Sequence, residues 1–246
     1  MRIPRLYLPG DYAPKHVISL SKEQAHYALN VLRLKNHHPV EAFNGQGIEA
    51  RATLVVTGKR SADLCIETLS EPRVESPLNT VLVQSISRGD RMDYTLQKAV
   101  ELGVTTIQPI FSERCEVKLS GDKLEKRRDQ WQNIVISACE QSGRCFVPEV
   151  RAIQTWQAWL ESLDNTEVFG LTLDPYASET LNSIQQPALT TPIHLLIGPE
   201  GGLTEEEVLQ ATQKGLTAIR LGPRVLRTET AGPAVLAGLQ LRWGDW

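Results

Sequence analysis

From residue 79 onward the sequence alternates two patterns, and this alternation constrains the fold more than any other feature. Apolar runs at Asn79–Ile86, Val104–Phe111, Glu167–Leu173, Ile193–Ile197 and Thr217–Leu221 read as strands. Helical stretches fall between and around them at Arg88–Leu102, Leu124–Gln141, Thr155–Leu163, Ser178–Ile184 and Thr204–Lys214. A last helix runs from about Glu229 to Arg242, with Pro233 suited to its first turn and Thr228 or Thr230 as its cap. Gly103 and Gly215 stand where helices end, and Thr204 with Glu207 forms a capping box. Such alternation implies an α/β domain with a mostly parallel sheet covered on both faces. Ligands of such sheets sit beyond the carboxyl ends of the strands.

The first 70 residues follow another rule. Short strands at Arg5–Leu8, Val17–Leu20, Val40–Phe43, Ile48–Thr57 and Ala62–Leu69 surround one helix. That helix opens at the capping box Ser21-Lys22-Glu23-Gln24 and carries Ala25, Ala28, Leu29 and Leu32 on one face. Several short strands in so few residues suggest a small β-barrel. Glu71 to Leu78 holds two prolines and reads as a linker, which leaves 79–246 for the second domain.

With 41% hydrophobic and 22% charged residues over 246 positions, a disordered chain, a collagen-like repeat and a disulfide-stapled mini-protein are excluded. No run of about 18 apolar residues is present, so no membrane span is expected. The charged, proline-broken start does not read as a secretory signal, and four cysteines without a Cys-x-x-Cys pair suit a reducing cytoplasm. The histidines show no metal-ligand spacing, so no metal is expected. The net charge of −3 hides a segregation: +4 over residues 1–40, −8 over 151–210 and +3 over 211–246. The basic ends are compatible with a nucleic-acid partner, though a solvated surface of mixed sign fits the charge equally well.

Three strand ends are unusual. After Ile193–Ile197 comes Gly198-Pro199-Glu200-Gly201-Gly202-Leu203, whose glycines let backbone approach a ligand. It lacks the Gly-Lys-Ser/Thr of a phosphate loop, and Glu200 would repel phosphate. After Thr217–Leu221 comes Gly222-Pro223-Arg224-Val225-Leu226-Arg227-Thr228-Glu229, rich in charge and long for a connecting loop. After Glu167–Leu173 comes the turn Asp174-Pro175-Tyr176. Together they outline one pocket.

Across nearly its whole length the chain resembles the small-subunit (16S) ribosomal RNA uridine N3-methyltransferase family, within the SPOUT knotted methyltransferases. The segments that carry the resemblance are Arg2-Ile3-Pro4-Arg5, Val31-Leu32-Arg33, Gln97 to Val104, Ser112-Glu113-Arg114-Cys115, Ala138 to Arg144, Ile197 to Gly202 and Leu221 to Ala231. Gly232-Pro233 departs from the helix-friendly residues expected there.

The resemblance implies a PUA-like barrel that binds RNA, followed by a trefoil-knotted domain that binds S-adenosyl-L-methionine and pairs into a homodimer. Carried over, Leu171, Thr172, Leu173, Gly198, Pro199, Glu200, Gly201, Gly202, Leu221, Gly222, Leu226, Arg227 and Thr228 should enclose the cofactor. For an RNA substrate the candidate contacts are Arg2, Arg5, Arg33, Arg88, Arg91, Arg114, Arg144 and Arg224. The N3 position of uridine is an imide that must lose its proton, and a cation stabilises the resulting anion. Arg227 is the candidate for that role, with Glu229 or Glu200 as general base or as the group that orients Arg227. Two other readings fit a chain of this pattern: a knotted methyltransferase of transfer-RNA ribose 2′-O, and an RNA-binding module without catalysis.

Overall fold

The computed structural model describes residues 3–163 and 168–246, so Arg2 and Glu167 lie outside the described residues. The chain forms two compact units, Met1–Glu75 with Cys139–Val147, and Ser76–Ala138 with Pro148–Trp246.

The first unit holds β1 (Arg5–Tyr7), β2 (Val17–Ser19), α1 (Lys22–His26), β3 (Pro39–Phe43), β4 (Glu49–Gly58) and β5 (Ser61–Ser70). The strands form one sheet in the order β1-β3-β4-β5-β2. β1 runs parallel to β3, and the other pairs are antiparallel. Alternation decides what is buried: Ala50, Ala52 and Leu54 of β4 and Ala62, Leu64 and Ile66 of β5 share one core with Leu6, Leu8 and Val40. The Ser21 capping box forms, with the Gln24 amide donating to Ser21 Oγ over 3.2 Å and the Ser21 amide donating to Gln24 Oε1 over 2.9 Å. The helix does not continue regularly to Leu32 as its apolar stripe predicts. It widens into a π turn over Tyr27–Val31, closed by the Leu32 amide on the Tyr27 carbonyl at 2.9 Å. Arg33 then ends it in the left-handed region, with φ of +56°.

The second unit holds β6 (Thr80–Ser85), α2 (Asp90–Glu101), β7 (Thr106–Phe111), β8 (Glu149–Val150), β9 (Gln154–Thr155), α4 (Trp156–Glu161), β10 (Phe169–Leu173), β11 (Glu179–Thr180), β12 (Ile193–Ile197), α5 (Glu205–Gln213), β13 (Leu216–Arg220) and α6 (Thr228–Trp243). The long helix α3 (Asp122–Ser142) begins in this unit and ends in residues of the first. The sheet order is β11-β13-β10-β12-β6-β7-β8, with β9 also on β7, and every pair is parallel. All six residues of β6 are buried, as befits a central strand covered on both sides. Val81 and Val83 join Trp159, Leu160 and Ala211 of α4 and α5 on one face. Leu82 points to the other, where a side chain at Gly232 of α6 would meet Leu82 Cδ1 at 3.5 Å and Thr95 Cγ2 of α2 at 3.6 Å.

Two predicted elements of this unit differ. Residues 178–184 form β11 and a single 3₁₀ turn, Leu181–Ser183, because pairing with β13 claims Glu179 and Thr180. α6 starts at Thr228 with Arg227 as its N-cap, so Pro233 lies inside the helix rather than in its first turn.

Candidate active site

The carboxyl ends of β10, β12 and β13 lead into loops that enclose one cavity of about 1070 Å³. Of the candidate cofactor residues, Leu173, the run Gly198 to Gly202, Leu221, Gly222, Leu226, Arg227 and Thr228 line it. Leu171 and Thr172 do not: both are fully buried within β10, which is flanked by β12 and β13. The turn Asp174-Pro175-Tyr176 contributes to the wall, and so does the α5 face carrying Val208, Leu209 and Thr212. The α5 contribution was not legible in the sequence, because an amphipathic stripe says that a face is covered and not by what.

Local backbone chemistry shapes this cavity. Gly202 and Gly222 sit at φ of +71° and +75°, which side chains disfavour. A Cβ at Gly198 would lie 2.9 Å from the Leu203 amide nitrogen, so only glycine lets the loop fold back on itself. Thr228 is no helix cap. Its hydroxyl donates to the Gly198 carbonyl over 2.7 Å and accepts from Gln84 Nε2 over 3.1 Å. One buried hydroxyl thus ties the glycine loop, the start of α6 and β6 together. Arg114 is a strut as well, its Nη1 donating to the Gly201 carbonyl at 3.0 Å and the Leu203 carbonyl at 3.4 Å.

The three candidate catalytic side chains all line the cavity, and of the two roles open to the carboxylates, general base or orienting group for Arg227, no salt bridge among the described residues shows the second. Both carboxylates face Arg91 instead. Arg91 Nη1 lies 2.9 Å from Glu200 Oε1, and Arg91 Nε lies 3.8 Å from Glu229 Oε1. The Arg88 amide also donates to Glu200 Oε1 over 2.9 Å. Burial pushes the Glu200 carboxyl up, but hydrogen bonds from the Arg88 and Glu200 amides and from Arg91 outweigh it and hold it below the usual carboxylate range. Glu229 Oε2 is buried without a hydrogen-bond partner among the described residues. The Arg227 guanidinium is exposed, while its backbone carbonyl accepts the Thr230 and Ala231 amides, each at 2.9 Å.

The RNA candidates divide. Arg33 and Arg224 are exposed. Arg88 is exposed and paired with Glu116. Arg5 and Arg144 are corrections, since both are consumed inside the first unit. Arg5, with a side chain 7% exposed, pairs with Glu49 and with Glu41 at 3.5 Å and donates to the Arg144 carbonyl over 3.2 Å. Its guanidinium also stacks 5.0 Å from the Phe43 ring centroid. Arg144, with a side chain 6% exposed, grips Glu75 Oε2 through Nε at 2.8 Å and Nη2 at 2.7 Å. The other oxygen of Glu75 takes the amides of Cys145 and Phe146, which fastens 139–147 to the first unit. Among the described residues no group of three or more His, Cys, Asp or Glu is placed to hold a metal, and no helix is long and apolar enough to cross a membrane.

Known proteins match this arrangement. The RNA methyltransferase domain family matches residues 74–240, and the RNA methyltransferase PUA domain family matches residues 20–67. Ribosomal RNA small subunit methyltransferase E of Buchnera aphidicola subsp. Schizaphis graminum is 37% identical over 99% of this chain and 98% of its own length. A ribosomal RNA small subunit methyltransferase E from Neisseria gonorrhoeae, solved bound to S-adenosyl methionine, is 43% identical with a TM-score of 0.90, and the match covers 100% of both chains. A putative methyltransferase from Legionella pneumophila, solved with bound SAM, is 38% identical with a TM-score of 0.94, again over 100% of both. An α/β sheet with a glycine-walled cavity at its strand ends, a PUA domain ahead of it and end-to-end similarity place this chain in the ribosomal RNA small subunit methyltransferase E family.

Proposed function

We propose that the protein methylates N3 of a uridine in small-subunit ribosomal RNA with S-adenosylmethionine, acting in the cytoplasm as a homodimer joined through its second unit. The observation that carries this reading is the cavity lined by the glycine loop together with Arg227 and Glu229. Its residues suit the cofactor. Leu173, Ile197, Leu221 and Leu226 offer apolar surface to an adenine, and loop backbone at Gly198 to Gly202 offers polar groups for its edge. The exposed side chains of Tyr176, Val225, Leu241 and Trp246 give a partner subunit apolar surface to cover.

The cofactor supplies a methyl carbon already activated on a sulfonium, so that the N3–C bond forms as the C–S electron pair returns to sulfur. The chain's residues manage the proton and the charge. Glu229 takes the N3 proton, because it lines the cavity and lies 3.8 Å from Arg91, whereas Glu200 is held more tightly, by Arg91 and the Arg88 amide at 2.9 Å each. Arg227 stabilises the imide anion spread over O2 and O4. The base is presented unpaired or flipped out of any helix. Mass spectrometry of ribosomal RNA from a deletion strain, before and after adding the protein, tests the reading. A methyl group on uridine N3 that appears with the protein is expected; a ribose 2′-O-methyl, or binding without methylation, overturns it.

The first unit supplies RNA contacts. Arg33 holds a left-handed conformation that costs a non-glycine residue about 1–2 kcal/mol, at a position where helices usually end in glycine. Arg33→Gly is therefore expected to keep the fold or stabilise it by up to about 1 kcal/mol. The same change should lower the salt dependence of RNA binding by ~0.7–0.9 in log–log slope. Binding titrations across salt concentrations check this, and an unchanged slope places the contact elsewhere.

A further inference from the structure

Glu200 is out of place in a ligand-binding glycine loop, and Ser87-Arg88-Gly89-Asp90-Arg91 is a polar, charged turn whose arginines were expected to meet RNA. The structure joins these two oddities. The segment leaves β6 through Gly89, at φ of +52°, and enters α2 with Arg91 in the first turn. From there the Arg88 amide and Arg91 Nη1 both reach Glu200 Oε1 at 2.9 Å, while Arg91 Nε faces Glu229 Oε1 at 3.8 Å. Glu200 belongs to the glycine loop and Glu229 to the first turn of α6. These are the two walls that Thr228 joins from beneath.

We propose that Arg91 is a positioning residue of the methyl-transfer site, a two-carboxylate brace that fixes the glycine loop against the start of α6, and not a contact to RNA phosphate. This rests on the reading of the cavity as the cofactor site. Its logic is geometric. Guanidinium presents several donors in a rigid plane, so one arginine can face two carboxylates on different elements where lysine, a point charge, serves one. The pair is partly exposed, so its worth lies less in stability than in holding the walls at one separation. A shift of about 1 Å in a site of this kind costs on the order of 10²-fold in rate. The brace also explains the acidic residue in the loop: Glu200 lines the cavity with its charge spent on Arg91 and the Arg88 amide, where it holds the loop to the start of α2.

The test measures S-adenosylmethionine affinity by calorimetry, RNA affinity against salt, and the single-turnover rate for Arg91→Ala, Arg91→Lys, Glu200→Gln and the double variant Arg91→Ala/Glu200→Gln. Arg91→Ala is expected to weaken cofactor binding about tenfold and slow the saturated rate about ten- to a hundredfold, with the RNA salt slope unchanged. Arg91→Lys should recover part of both losses, and the double variant should be no worse than the poorer single, since the two side chains form one brace. A salt slope reduced by about one with cofactor affinity intact would make Arg91 a phosphate contact. Additive losses in the double variant, or wild-type cofactor affinity and rate in Arg91→Ala, would also overturn the brace. If the wild-type protein itself binds no S-adenosylmethionine, the reading of the cavity fails instead.

Discussion

Replacing Arg227 by alanine is expected to slow methyl transfer by roughly 10²–10³ at saturating RNA and cofactor, the range for removing one donor to a developing oxyanion. Arg227 lines the cavity with an exposed guanidinium, and unlike Arg91, Arg5 and Arg144 it spends that group on none of the salt bridges described here. Its place is set by the backbone. The Arg227 carbonyl opens α6, and the next residue, Thr228, is locked to Gly198 and Gln84. A cation so placed gains strength as the uridine imide loses its proton, so it favours the transition state over the bound substrate. Cofactor and RNA affinities should therefore change far less than the rate. Arg227→Lys should fall between, keeping the charge but losing the planar fork. Single-turnover kinetics separates this from a grip on phosphate, for which RNA affinity would fall and the saturated rate survive.

Arg5→Ala should destabilise the first unit by about 3–5 kcal/mol, the cost of breaking a buried ion pair from one side. Glu49, with a side chain only 16% exposed, would lose its principal cation, and Phe43 its stacking partner. Urea or thermal unfolding measures the loss. Arg5→Met combined with Glu49→Gln should recover a large part of it, because the more buried carboxylate is removed with its cation and only the more exposed Glu41 is left unpaired. Were Arg5 a phosphate contact, the single variant would keep its stability and lose only salt-dependent RNA affinity.

Arg5 and Arg144 show where sequence reading runs out. Charge is legible at any arginine, but burial depends on partners far along the chain: Glu49 lies 44 residues from Arg5, and the carbonyl Arg5 reaches lies 139 residues away. The strand–helix alternation and the glycine loop were legible because a strand's apolar run, a capping box and a Gly-Gly step are local features. β8 and β9 were not, since two residues are too few to show a period. Thr228 read as a helix cap because Thr before a helix usually is one; its partners Gly198 and Gln84 are brought to it only by the order of the parallel strands. The attachment of 139–147 to the first unit was equally hidden, since α3 continues into it as ordinary helix and Glu75, which secures it, looks like linker.

Pro233 gives α6 a further property. Proline carries no amide hydrogen, so the Glu229 carbonyl four residues earlier loses its α-helical donor. The end of α6 that carries Arg227, Thr228 and Glu229 is linked to the rest of its helix by a ladder with one rung missing. Helices bend most easily at such a break. Thr228 anchors this turn sideways to Gly198 and Gln84, yet the axial connection is soft. The helix behind the break can bend relative to the turn that carries Arg227, Thr228 and Glu229, as a flexible coupling separates a tool head from its shaft.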